Sequence, residues 1–146
     1  MPERETIERA QEDAREGKSA STQAGEFVRE EIHHVREGKH GARSPQQAIA
    51  IGLSKARRAG VKLGPPKGQS ESVRRKAAQD SAAGKNPRKK RSATRARAVS
   101  NALKKEPKST AGRSAVSRQA KRSAAKRGAR ARSASATKAA RTRKAA

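Results

Sequence analysis

Large apolar side chains are concentrated in the first part of this sequence and are scarce in the rest. Ten of its fourteen Val, Leu, Ile and Phe residues precede residue 64. Ordering one residue costs roughly 1–2 kcal/mol of backbone entropy, and burying one large apolar side chain contributes about 1.5–3 kcal/mol. Residues 1–63 can therefore form a small core, whereas we expect none in residues 70–146.

Charge is also distributed unevenly along the chain. The net formal charge is +25, yet residues 1–38 contain ten acidic and six basic residues, a balance of −4. Residues 39–146 hold the other 32 basic and 3 acidic residues, a balance of +29. Low hydrophobicity combined with high net charge is typical of disordered segments. The asymmetry indicates a polyanionic partner for the basic part.

Apolar periodicity predicts two helices in the acidic part. Residues 3–16 carry apolar residues three and four positions apart, and Gly17 follows as a stop signal. Residues 22–37 repeat the pattern more strongly, and Gly38 ends the segment.

A third helix is predicted at residues 45–59, where the local signals are the clearest. Ser44 suits the N-cap, Pro45 suits the first turn, and Gln47 completes a capping box. Gly60 stands where a left-handed C-cap is expected.

The remainder is a linker followed by a basic tail. Residues 64–69 are rich in Gly and Pro, and beyond them Lys, Arg, Ala and Ser dominate. Segments 70–83, 92–105 and 113–127 have good helix composition but few large apolar residues, so we predict only transient helices there. The predicted fold class is all-α: a domain of two or three helices at residues 1–63, then a largely disordered tail at residues 70–146.

The basic clusters are the main functional signal. Each phosphate neutralised by Lys or Arg releases condensed counterions, which favours binding without sequence preference. A merely solubilising role is the alternative interpretation. The candidate nucleic-acid-binding residues are Lys55, Arg57, Arg58, Lys62, Arg74, Arg75, Lys76, Arg88, Lys89, Lys90, Arg91, Arg95, Arg97, Lys104, Lys105, Lys121, Arg122, Lys126, Arg127, Arg130 and Arg132.

Composition favours duplex DNA over single strands. Phe27 is the one residue of the Phe, Tyr and Trp class in the chain, and the helical pattern places it in the core. Recognition of single strands and unstacked RNA bases relies on aromatic stacking. We therefore expect contacts to the duplex backbone, with Arg able to enter the minor groove.

The three histidines do not indicate a metal site by sequence alone. His33 and His34 are adjacent on a helix and project about 100° apart, and Glu30 and Glu37 have the spacing of ordinary helix-surface residues. The chain has no Cys to add a ligand. We interpret these two histidines and His40 as solvated, and we expect no metal and no cofactor.

The sequence gives no sign of an enzyme. It lacks a phosphate-binding glycine loop, a dinucleotide fingerprint and a nucleophile elbow. The small predicted core leaves no room for a water-excluding pocket. No apolar run approaches the ~20 residues of a membrane span, and the acidic start is unlike a secretory signal. We expect a cytoplasmic protein without a membrane partner.

Part of the sequence resembles a known family. The stretch STQAGEFVREEIHHVREGKHG at 21–41, followed by Ser44 and by QAIAIGLSKARRAG at 47–60, is similar to small basic bacterial proteins, chiefly of proteobacteria, that are grouped as a domain of unknown function. The resemblance covers roughly residues 1–70, implies a bacterial source and assigns no functional residue. The tail resembles histone-like bacterial basic tails by composition, without their Pro-Ala-Lys repeats.

Together these features predict a histone-like, nucleoid-associated protein that binds DNA without sequence preference through its basic tail. One alternative is an RNA- or ribosome-associated basic protein, and another is a disordered stress protein without a specific partner. Self-association through Phe27, Val28, Ile32 and Val35 is a further expectation.

Overall fold

The structure, a computed structural model, describes residues 2–65, 68–86 and 92–145. Within these ranges it is all-helical, and the chain divides into two compact units, Met1–Ala111 and Gly112–Ala146. The helices are α1 (Arg4–Arg15), α2 (Ala20–Glu37), α3 (Pro45–Arg58), α4 (Glu71–Lys85), α5 (Ala93–Lys105), α6 (Arg113–Lys126) and α7 (Gly128–Ala145), with a 3-10 turn at Ser109–Ala111.

The tail is helical, so the prediction of a largely disordered region at residues 70–146 is wrong. Helices α4, α5 and α6 coincide with the three segments that were expected to be transient, and α7 continues to Ala145. The disorder criterion measures whether a segment can build a core. It does not measure helix propensity, which is high for the Ala, Arg and Lys residues that dominate here.

The core of the first unit is built around α2, which contacts both α1 and α3. Phe27 is almost fully buried, at 1% exposure, among Ala10, Ala24 and Ala56. Because three of these four residues are alanines, the helices approach one another closely. Four half-buried residues pack against this cluster: Ile7, Leu53, Val61 and Leu63.

A second buried cluster joins α2 and α3 to the 3-10 turn. It contains Val35, Ala42, Ala48 and Ala111, with Ile32 packed against it. Since Ala111 lies more than sixty positions from the others, this contact brings a segment of the predicted tail into the core.

Gly52 is required where α3 crosses α2. A Cβ atom at this position would lie 2.7 Å from Val28 Cα and 2.9 Å from the Phe27 carbonyl oxygen. Any side chain at this position would clash with the backbone of α2 unless the two helices moved apart. The glycine in the middle of α3 therefore allows backbone contact between the two helices.

The ends of α3 follow the local signals in the sequence. The Ser44 side chain accepts a hydrogen bond from the Gln47 amide at 3.2 Å, and the Gln47 side chain accepts one from the Arg43 amide at 2.6 Å. At the other end Gly60 has a φ of 101°, and the Val61 amide donates a hydrogen bond to the Ala56 carbonyl in the last turn of α3. The N-cap and the stop predicted for this helix are confirmed, but the capping box is altered, because Gln47 accepts from the Arg43 amide instead of the Ser44 amide.

Helix α4 docks on α3 through a buried carboxylate. Asp80, 1% exposed, accepts hydrogen bonds from Ser54 Oγ at 2.8 Å and from Arg58 Nε and Nη2 at 2.9 and 2.7 Å. Near the end of α4, a Cβ atom on Gly84 would lie 2.8 Å from the carbonyl oxygens of Arg57 and Arg58. The helix that follows the 64–69 linker thus belongs to the first compact unit.

The loop after α2 holds the last turn of α5 and the segment that follows it. The Gly41 amide donates to the Leu103 carbonyl at 2.8 Å, and the Ala42 amide donates to the Pro107 carbonyl at 3.1 Å. Thr110 Oγ1 donates to the Ala42 carbonyl at 2.9 Å. These backbone contacts position the end of α5 without large apolar side chains.

The second unit consists of α6 and α7, which contact each other. Both helices lie wholly within the described residues, and neither has a fully buried residue. Their stability therefore depends mainly on helix propensity and on short-range contacts rather than on a core.

Candidate functional site

The second unit presents a surface whose charge is entirely positive. Residues 112–146 contain twelve Lys and Arg residues and no Asp or Glu. All twelve are exposed. The candidates predicted from sequence in this unit are Lys121, Arg122, Lys126, Arg127, Arg130 and Arg132, and the remaining six bases are Arg113, Arg118, Lys138, Arg141, Arg143 and Lys144.

Four of these cations form one stripe on α6. Arg118, Lys121, Arg122 and Lys126 are related by helical steps of three and four residues, so they project from the same side. Like charges at this spacing destabilise an isolated helix. A row of phosphates would remove that repulsion while releasing its own counterions.

Helix α5 of the first unit carries a smaller group of exposed cations. Arg95, Arg97, Lys104 and Lys105 are all exposed, and α5 has no acidic residue. Lys62 and three cations of α4, Arg74, Arg75 and Lys76, are exposed as well. The candidates Arg88, Lys89, Lys90 and Arg91 lie outside the described residues.

Three candidates on α3 make internal contacts that reduce their exposure to solvent. Lys55 pairs with two buried carboxylates of α2, and Arg57 Nε donates to the Leu63 carbonyl at 2.9 Å. Arg58 is the partner of Asp80. The sequence pattern of α3 alone places these cations on its exposed face. Their partners lie on α2, on α4 and in the segment after α3, which that pattern does not include.

The apolar face of α2 that was expected to mediate self-association is used within the chain. Phe27 and Val35 are buried, at 1% and 0% exposure, and Val28 and Ile32 are half-buried. The two core clusters and the contact with Gly52 occupy this face.

A buried ionic cluster lies where α2 meets α3. Glu30 and Glu31 are 5% and 0% exposed, although an i, i+1 pair on a charged helix does not suggest burial. Lys55 Nζ lies 3.1 Å from Glu30 Oε1 and 2.7 Å from Glu31 Oε2. The interpretation of Glu30 as a helix-surface residue was therefore wrong, while Glu37 is indeed exposed.

Glu30 and Lys55 of this cluster hold each other in the ionised state. Burial alone would raise the pKa of Glu30, but hydrogen bonds from the Glu3 amide, Thr6 and Lys55 lower it overall. Burial alone would lower the pKa of Lys55, but its pairing with Glu31 and Glu30 raises it overall. The cluster is thus a set of buried charges that compensate one another.

The histidines lie beside this cluster. His34 and His40 have side chains only 12% and 18% exposed, so the prediction that they are solvated was wrong, whereas His33 is exposed. His34 Nε2 lies 2.9 Å from Glu3 Oε1. Hydrogen bonds from His34 and then Lys39 lower the pKa of Glu3 from 4.5 to about 2.

The structure brings Glu31, His34 and His40 together. One potential ligand atom from each lies within 4.8 Å of the others. The sequence pattern sets the three histidines beside Glu30 and Glu37 and does not indicate Glu31, so this group was missed. The i, i+3 spacing of Glu31 and His34 was an available signal, because it places both on one helix face, but the return of His40 depends on the loop after α2.

Comparison with known families finds one match in part of the chain. A model described as Family of unknown function (DUF6496) matches residues 15–68, which comprise α2, α3 and their flanks. The resemblance of this part to an uncharacterised family is therefore supported. Comparisons with curated proteins and with solved structures found no match. Among the described residues, no helix is long and apolar enough to span a membrane.

Proposed function

We propose that this protein binds duplex DNA without sequence preference, through the exposed cations of α6 and α7 with support from α5. It would act as a histone-like protein of the bacterial nucleoid, within the cytoplasm. Binding neutralises backbone phosphates and so favours condensed or bridged DNA.

The observation that carries the proposal is the charge of the second unit. Twelve exposed bases and no acid in 35 residues leave nothing within this unit to neutralise the positive charge. Such a surface attracts nucleic acid over distances set by the ionic strength. Two helices that bury no residue also have little reason to carry so much like charge unless a polyanion offsets it.

The partner is more consistent with a duplex than with single strands. The side chain of Phe27 is buried in the first unit and cannot stack on a base. The cations of α6 follow a helix face, and a helix can lie along or within the grooves of a duplex. Binding is then expected to depend on phosphate contacts and to ignore sequence.

The test is the salt dependence of binding to a short DNA duplex, measured by fluorescence anisotropy. In one variant, Arg118, Lys121 and Arg122 of α6 are replaced by Gln. In a control with the same net charge, the exposed residues Arg4, Arg15 and Arg29 of α1 and α2 are replaced by Gln.

We expect the α6 variant to lower the slope of log affinity against log salt by up to about 3, because each lost phosphate contact removes roughly 0.9. The control should leave the slope nearly unchanged. An equal loss in both variants would show that only net charge matters. Binding that is absent at low salt would support a protein without a specific partner, and a strong preference for structured RNA over duplex DNA would support the RNA alternative.

A further inference from the structure

The group Glu31, His34 and His40 has a geometry that the DNA-binding proposal does not use. Glu31 is fully buried on α2, His34 follows one turn later, and His40 lies in the loop after the helix. Lys55 Nζ lies 2.7 Å from Glu31 Oε2 and compensates its charge, whereas Glu31 Oε1 accepts no hydrogen bond within the part of the chain described. A buried carboxylate in that condition is unusual, since such groups are normally satisfied.

The orientation of the His40 ring indicates which partner the Glu31 carboxylate lacks. His40 Nδ1 lies 3.0 Å from the Gly41 carbonyl oxygen, which can only accept a hydrogen bond, so Nδ1 is the nitrogen that bears hydrogen. In neutral imidazole the lone pair is then on Nε2, which lies 3.2 Å from Glu31 Oε1. Two electron-rich atoms at this distance repel each other unless a proton or a metal ion lies between them.

The same distance suits two ligands of one metal ion. Ligands about 2.0–2.1 Å from a tetrahedral ion are roughly 3.3 Å apart. The hydrogen bond from His40 Nδ1 to a backbone carbonyl is also the arrangement that usually orients a metal-bound histidine.

His34 is prepared in a similar way. Its Nε2 lies 2.9 Å from Glu3 Oε1, and Glu3 is itself held by Lys39 Nζ at 3.1 Å. A carboxylate behind the imidazole sets its tautomer and raises its basicity as a ligand. A surface cleft lined in part by Glu3, His33, His34 and Lys39 reaches His34 from the solvent, whereas Glu31 and His40 lie outside its lining.

The charges around the group also favour a cation. Three carboxylates, those of Glu3, Glu30 and Glu31, face two ammonium groups, those of Lys39 and Lys55. Glu37 Oε2 also lies 3.2 Å from Lys39 Nζ, so carboxylates outnumber ammonium groups around the site. Lys55 occupies the Oε2 side of Glu31 and leaves Oε1, the oxygen nearest His40, for another cation.

We propose that Glu31, His34 and His40 bind a divalent transition-metal ion of the zinc class, with a water at the fourth position. Two imidazoles and one carboxylate are donors that suit Zn²⁺, Co²⁺ or Ni²⁺ and are poorly suited to Ca²⁺ or Mg²⁺. The ion joins the loop after α2 to the helix itself. Because that loop holds Leu103 and Pro107 through its backbone, metal binding stabilises the docking of the segment after α5.

The test is a titration of the full-length, untagged, chelator-treated protein with Co²⁺, followed by visible absorption, with Zn²⁺ as competitor. We expect one tightly bound Co²⁺ per chain with the intense bands of a four-coordinate ion, displaced by Zn²⁺. His40→Gln should weaken binding at least tenfold. His33→Gln, which removes the exposed neighbouring histidine, should leave it unchanged.

Thermal unfolding provides a second readout. An ion that binds only the folded chain raises the melting temperature, so Zn²⁺ should stabilise the parent protein and the His33→Gln variant but not His40→Gln. If Co²⁺ binding is not saturable at micromolar concentrations, or if both histidine variants bind alike, the site does not exist. His34→Gln removes a second ligand and should lose Co²⁺ binding in the same way. Loss of binding in both variants would not be explained by a folding defect of His40→Gln alone.

Discussion

At the scale of single residues, buried charges determine how the helices of the first unit meet. Lys55 pairs with two carboxylates of α2, and Asp80 pairs with Arg58 of α3 as well as with Lys76 on its own helix. Breaking such a pair by removing one partner leaves an uncompensated charge, which is costly in a dry environment. These few charged residues therefore contribute substantially to the free energy of unfolding.

Replacement of Asp80 by Asn should destabilise the first unit. The change leaves Arg58 without its charged partner and weakens the contact with Ser54, so we expect a loss of about 1–3 kcal/mol in the free energy of unfolding. Urea denaturation followed by circular dichroism measures it. Glu71→Gln, which changes an exposed acid on the same helix, should cost less than about 1 kcal/mol; equal losses would contradict the role given to Asp80.

Stability should also fall in acid, with a sign set by the lowered carboxyl pKa values. Burial alone would raise the pKa of Asp80, but hydrogen bonds from Ser54 and Arg58 lower it overall, and that of Glu3 is about 2. A carboxyl with a lowered folded-state pKa stabilises the fold above its unfolded value and loses this contribution as pH falls through the folded value.

The free energy of unfolding should therefore decrease as pH falls from about 5 toward about 2. Denaturation at a series of pH values measures this slope. The slope should be shallower in Asp80→Asn, which lacks one of the titrating groups, and an unchanged slope would argue against its contribution.

At the scale of helices, close contact depends on small residues rather than on large apolar ones. Alanines form most of the two core clusters, and Gly52 allows α3 to touch the backbone of α2. This arrangement explains how a chain with few large apolar residues assembles a core. It also makes the contact between α2 and α3 sensitive to one added methyl group.

Gly52→Ala should destabilise the protein although alanine is the better helix former. The added Cβ would contact Val28 and the Phe27 backbone, and such overpacking costs about 1–3 kcal/mol. Gly25→Ala is the matched control, because Gly25 is also helical and a Cβ there meets nothing within 4 Å. The control should gain about 0.5–1 kcal/mol. Thermal denaturation of both variants distinguishes the two cases, and a stabilised Gly52→Ala variant would contradict the close contact.

At the scale of the whole molecule, the two compact units differ in what stabilises them. The first has buried apolar and ionic clusters, whereas α6 and α7 bury no residue and carry unbalanced positive charge. Helices without a core open at low cost in free energy. A polyanion that removes their charge repulsion should make them more stable.

Hydrogen exchange should reveal this difference. Amides of α6 and α7 should exchange much faster than those of α2 and α3 in the free protein, and duplex DNA should slow exchange in α6 and α7 selectively. Mass spectrometry of peptic fragments measures both. Protection of α2 by DNA with no change in α6 would place the interface elsewhere.

Much of the local structure could be predicted, and the errors have a common cause. Helices α1 to α6 begin and end within a few residues of the predicted segments, because caps and stop signals act over a single turn. The prediction of a disordered tail is wrong because low hydrophobicity and high net charge argue against a core but not against a helix. Helix α7 was missed for that reason, as alanine and arginine sustain it without an apolar stripe.

By itself, the sequence determined the bounds of α1 to α6, the N-cap and stop of α3 and the separation of acidic from basic regions, because each depends on neighbours in the chain. The tertiary structure alone decided which charges are available to a partner. It turned Lys55, Arg57 and Arg58 inward and left the cations of α6 and α7 exposed. It also brought His40 back to Glu31 and His34. Such partners lie on different helices and loops, and no pattern within one helix can specify them.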